Sequence, residues 1–162
     1  MLHMSWHQCH CDLYRPFLTD YPELGPHAVL NGMCESDRVM MRDKCLGHAE
    51  QIVRVLTDFI QHKEEQHMLE HDAAVCTYHA ARLVLFGTYH APHDSEFQMQ
   101  MAMNKAQMCL DVIKRYFSFS AQLESMVRDM APLLHTLLIN SSDKPSRKQL
   151  ITTKRAGNLM VL

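Results

Sequence analysis

With 162 residues the chain can bury the core of one domain, or of a piece of one, and its 47% apolar and 21% charged content is ordinary for a globular protein. A formal net charge of −2 leaves no broad basic field for nucleic acid and no acidic block of the kind found in disordered activation tails.

The six cysteines, at 9, 11, 34, 45, 76 and 109, are scattered and include no CxxC pair, which argues against both a small disulfide scaffold and a zinc ribbon or finger. The opening MLHMSWHQCHC has neither the basic start nor the apolar run of a signal peptide, and no apolar run reaches membrane-spanning length. Asn140-Ser141-Ser142 fits a glycosylation pattern only formally, and a reducing, intracellular setting is the expectation. Five glycines and thirteen methionines suit an all-helical body, because Met both favours helix and fills irregular gaps.

In chain order, Met4–Arg15 reads as a first helix with Trp6, Cys9, Leu13 and Tyr14 on its buried face, stopped by Pro16. A proline-punctuated loop over 17–26 and a short helical piece over 27–33 follow. Ser36 is the expected N-cap of a long helix to about His62, with Cys45, Ala49, Ile52, Val53, Leu56, Phe59 and Ile60 as its stripe and a Glu50–Arg54 pair outside. Lys63–Gln66 is a polar link.

The stretch His71–Tyr89 (HDAAVCTYHAARLVLFGTY) then places Ala73, Cys76, Ala80, Leu83 and Phe86 at steps of three and four. Val75, Val84 and Leu85 widen this stripe until the helix is apolar over most of its circumference, so it is expected to be covered on more than one side. It is the central helix of the proposed arrangement.

A turn over 91–95 ends in Ser95, which with Gln98 forms a capping-box pattern for a fourth long helix from Glu96. That helix presents Phe97, Met101, Met108, Val112, Ile113, Tyr116 and Phe117, with an Asp111–Arg115 pair outside. Ser118 and Ser120 mark a further cap. A fifth helix over 121–139 uses Leu123, Met126, Val127, Met130, Leu134, Leu137 and Leu138, carries a Glu124–Arg128 pair and is bent by Pro132. Residues 141–162 lose periodicity, carry Arg147, Lys148, Lys154 and Arg155, and are expected to be a disordered tail. The fold class is all-α: an irregular bundle of five to six helices over 1–140.

Histidine is the compositional oddity, at twelve residues. His7 and Cys11 stand four apart with His3 and His10 beside them, as do His67 and His71 near His62, and such pairs can chelate a metal. Neither cluster has the HExxH order or a recognised closed-site spacing, so exposed or half-buried polar residues are the simpler reading. There is no GxSxG elbow, P-loop or GxGxxG. Cys76 and Cys109 sit on apolar helix faces, where an inert core thiol is the rule, and Glu64-Glu65 is a solvated link. Met99, Met101, Met103 and Met108 read first as core filling and second as an adaptable partner surface. No side chain is assigned a catalytic, cofactor-binding or metal-ligating role.

The run WHQCHCDLYRPFL at Trp6–Leu18 resembles a helix ending in Leu-x-Arg-Pro-hydrophobic-Leu in the middle homology, or regulatory, region of fungal zinc-cluster transcription factors. The segments that follow are similar in order: the long helix with Cys45, Ala49, Ile52 and Leu56, the run HDAAVCTYHAARLVLF, and NKAQMCLDVIKRYF at Asn104–Phe117. The resemblance covers roughly residues 4 to 130. It implies a non-enzymatic, nuclear regulatory module that binds a protein partner, a missing half-domain or a small-molecule inducer. The six-cysteine zinc cluster of that family is absent from this sequence, so the chain resembles the back half of such a protein, and direct sequence-specific DNA contact is not expected. The alternative reading is a His-rich bundle holding a metal or small ligand between facing helices.

Overall fold

The computed structural model describes residues 2–18, 21, 32–61, 71–90, 96–117 and 120–130. Helix α1 spans Leu2–Tyr14 and is followed by a 3-10 turn, Arg15–Phe17; α2 spans Glu35–Gln61, α3 His71–Tyr89 and α4 Glu96–Tyr116. A fifth helix, α5, covers residues 121–130 of the described chain. No strand occurs among the described residues, and the architecture is an all-α bundle. The expected helix over 27–33 apart from its last two residues, the link at 63–66, the cap at Ser95, Ser118, the second half of the fifth helix with Pro132, Asn140 and the basic tail lie outside the described residues.

Helices α2 and α3 form the central pair; α1 packs chiefly on α2 and less on α3, and α4 packs chiefly on α3. The reason lies in α3. Ten of its nineteen residues are buried, among them Ala73, Ala74, Ala80 and Ala81, so neighbours approach it closely on several sides. Leu83, Val84 and Leu85 supply the bulk, and the one buried polar side chain here, Thr77, donates back to the Ala73 carbonyl at 2.7 Å. Gly87 marks a close approach to α2, since a Cβ there would stand 2.7 Å from Leu46 Cδ1.

Helix α2 buries the expected stripe: Cys45, Ala49, Ile52, Val53 and Leu56. It begins one residue before the expected cap. The Arg38 N–H donates to the Cys34 carbonyl at 3.2 Å, which makes Cys34 the boundary residue and puts Ser36 inside the first turn. Glu50, expected to pair along its own helix, instead meets Lys105 Nζ of α4 at 2.6 Å. Asp111 accepts from Gln107 at 2.8 Å, while Arg115 lies over the Tyr116 ring. The Glu124–Arg128 pair forms at 3.5 Å, and Ser120 caps α5 through its hydroxyl to Leu123 N at 3.4 Å.

Two faces differ from expectation. On α4 the buried stripe is Met99, Ala102/Met103, Ala106, Cys109/Leu110 and Val112/Ile113. Phe97 (71% exposed), Met101 (44%) and Tyr116 therefore point outward, because small residues at 102, 106 and 109 allow a closer seat on α3. On α1 the roll is largely reversed, although Tyr14, expected on the inner face, does pack partly buried against the core. Met4 and Cys11 are buried and Leu18 continues their seven-residue spacing, whereas Trp6, Cys9 and Leu13 face solvent. The polar His7 and Gln8 ride on the inner half because the contact is decided by the fully buried Cys11, which is small enough to seat α1 directly on α2.

This packing predicts opposite sensitivities for two leucines. Leu83→Ala should lower the unfolding free energy by about 2–5 kcal/mol in a denaturant titration. Leu13→Ala should stay within about 0.5 kcal/mol of the parent.

Candidate functional site

The joint between α1 and α2 concentrates the titratable and aromatic side chains. At its centre Cys11 and Cys45, both fully buried, bond reciprocally: each thiol donates to the other residue's carbonyl, at 3.7 and 3.6 Å. Hydrogen bonding to the Cys45 side chain, followed by burial, drives the Cys11 thiol far above its ordinary range, so it stays protonated. Burial likewise pushes Cys76 up to about 11 and Cys109 up to about 12. Cys76 and Cys109 are buried, as their positions on apolar helix faces implied.

One turn away, His7 Nδ1 and His48 Nδ1 approach to 2.9 Å. Their ring centroids are 5.2 Å apart, close to that separation plus two ring radii, so the nitrogens face each other head-on. One imidazole holds the shared proton and the other accepts it. Burial lowers the pKa of both, and neighbouring cationic partners add to this: His3 and His10 for His7; His10, His7 and Lys44 for His48. His10 stacks on His48 with centroids 4.4 Å apart and planes 10° apart, and Tyr14 extends the stack. Trp6 sets its ring edge-on to His7, His10 and His48, with centroids at 4.8, 4.4 and 5.3 Å. The result is a tryptophan braced by three imidazoles while still 53% exposed.

The sequence grouped His7 with Cys11, His3 and His10. The structure separates Cys11 from that set, binding it to Cys45, and brings in His48 from α2 instead. Nothing local in the sequence distinguishes His48, since the partnership depends on the roll of α1. Among the described residues no group of three or more His, Cys, Asp or Glu is placed to hold a metal ion. His71 is exposed, and His62, His67 and Glu64-Glu65 lie outside the described residues. Arg82 lies over the rings of Tyr21 and Tyr78, 5.6 Å from each centroid, a packing arrangement that ties the segment after the 3-10 turn to α3.

The outer face of α1 forms a second feature. Leu2 (85% exposed), Trp6, Cys9 and Leu13 (60%) follow a 4-3-4 spacing, diametrically opposite Met4 and Cys11. A third is a cleft of about 410 Å³ where α4 meets α2 and α3, lined by Gly87, Thr88, Phe97, Met101 and the Glu50–Lys105 ion pair. Its volume is within the usual range for small-ligand pockets. No helix among the described residues is long and apolar enough to cross a membrane. No protein-family model, curated protein or solved structure matches the chain.

The neutral imidazoles give the joint a signed pH dependence. His7 and His48 are held below their ordinary pKa, so below about pH 6.5 the unfolded chain takes up protons that the folded chain resists. Stability should be full above that pH and fall as the solution is acidified. His48→Phe, which keeps a flat ring on His10, should flatten the slope in denaturant titrations between pH 7.5 and 5. Thiol accessibility checks the packing separately: under native conditions a thiol-reactive dye should modify Cys9 and Cys34 quickly, with Cys11, Cys45, Cys76 and Cys109 reacting only in denaturant.

Proposed function

We propose that the chain is a non-enzymatic helical regulatory module of the fungal zinc-cluster transcription factor type, acting in the nucleus by docking a protein partner. The observation that carries this reading is the solvent-facing apolar stripe of α1. A helix buried on one side by Met4 and Cys11 and apolar again on the opposite side is built to lie between two bodies, of which the bundle supplies one. The resemblance of Trp6–Leu18 and the later helices to the regulatory region of that family supports the same reading. The Cys11, Cys76 and Cys109 thiols are held protonated, and the histidine pair is directed at itself, an arrangement suited to packing more than to nucleophilic or acid–base work. The cleft beside Phe97 and Met101 is the natural seat for a small apolar inducer.

The test is a tethering experiment. Fused to a heterologous DNA-binding domain in a yeast reporter strain, the chain should change reporter output several-fold in either direction, and Trp6→Glu should abolish the change at equal protein level. An expressed, folded fusion that leaves the reporter untouched would overturn the regulatory reading.

A further inference from the structure

We infer that the partner of the α1 stripe is a second copy of this chain, docked through an antiparallel α1–α1 seam; the inference rests on the docking role proposed above and names its occupant. The residues Leu2, Trp6, Cys9 and Leu13 fall within roughly 60° of one helix face at the 100° advance per residue of an α-helix, and their 4-3-4 spacing is that of a two-helix seam. Their order of sizes is what selects the occupant. Read in the reverse direction, the stripe is complementary to itself: Leu2 faces Leu13 of the second copy, and the bulky Trp6 faces the small Cys9, twice over about a two-fold axis. A parallel pairing would set Trp6 against Trp6, two large rings at one seam level, which the close spacing of such helices does not accommodate.

The area agrees with a reversible homodimer. Leu2 (85% exposed), Trp6 (53%) and Leu13 (60%), with the exposed Cys9, His3 and Asp12, amount to on the order of 500 Å² per copy, or roughly 1,000 Å² in all, where specific but non-obligate association begins. Trp6 is well suited to be the anchor. Its ring is already held edge-on by His7, His10 and His48, so little side-chain freedom is lost on docking. Cys9 meets tryptophan in this seam, so the dimer does not depend on a disulfide and should survive reductant.

The experiment is sedimentation equilibrium of the full chain in reductant, from micromolar concentrations to roughly 1 mM. The mass should rise from 18.8 kDa toward twice that value as concentration increases. Trp6→Glu should remain monomeric across the range with unchanged helical circular dichroism, while Phe97→Glu on α4 should dimerise like the parent. A size swap tests the register: Trp6→Cys and Cys9→Trp should each weaken association at least tenfold, and the double variant should restore it. A parent chain that stays monomeric at every concentration, a dimer indifferent to Trp6→Glu, or a double variant no better than either single would overturn the homodimer. If the parent is monomeric yet Trp6→Glu still abolishes reporter output, the stripe docks a partner of other sequence; the homodimer then falls while the regulatory reading stands. Loss of both effects removes both.

Discussion

The reciprocal bonding of Cys11 and Cys45 sets the geometry on which the rest of the α1 face depends. Two small thiols with no solvent exposure let the helix axes come close, and each thiol finds its acceptor in the other helix's backbone, so neither thiol is stranded, although Gln8 Oε1 and His10 Nδ1 beside them are buried without a hydrogen-bond partner. Once Cys11 is seated, the helical repeat places Met4 inward on the same line, and Leu18, just past the 3-10 turn, is buried as well. The same repeat sends Leu2, Trp6, Cys9 and Leu13 outward. The histidine cluster is a consequence of this roll: with Cys11 inward, His7 and His10 lie at the flank of the joint, where His48 of α2 comes up to meet them.

The bundle is thus layered by function. Its middle, α2 with α3, is a conventional apolar core in which alanines, cysteines and one glycine set short helix spacings and Leu56, Leu83 and Ile52 fill the volume. Its outer helices each carry exposed apolar residues: the stripe on α1, and Phe97 and Met101 on α4 beside the Glu50–Lys105 pair. Exposed apolar residues are common when single, but a row of them at seam spacing on a structured helix is a different matter. The proposed docking role follows from that row, and the proposed regulatory context from the likeness of the helices to a fungal transcription factor region.

The histidines combine packing with a titration. His10, His48 and Tyr14 stack between α1 and α2 in place of aliphatic side chains, with His7 tilted against His48, and burial holds the pKa of His7 and His48 down. Because Trp6 rests against the same rings, the state of the joint and the presentation of the outer stripe are physically linked.

By itself the sequence determined the helices and the identity of the central one. The period of His71–Tyr89 and its small-to-bulky gradient were enough to place α3 inside, since a helix apolar nearly all round has no stable position elsewhere. The α2 stripe was equally legible, and so was the cap at Ser120, because both depend on local spacing. Only the tertiary structure decided which way α1 and α4 roll. Each carries two apolar stripes, and periodicity cannot rank one against the other; α1 buries Met4–Cys11 over Trp6–Leu13, and α4 buries Met99–Ile113 over Phe97–Met101. The choice goes to the face whose small residues, Cys11 on α1 and Ala102, Ala106 and Cys109 on α4, permit the shorter interhelical distance. Close packing there gains more contact than burying a larger ring at a wider spacing. The pairing of His48 with His7, and with it the candidate site, followed from that choice.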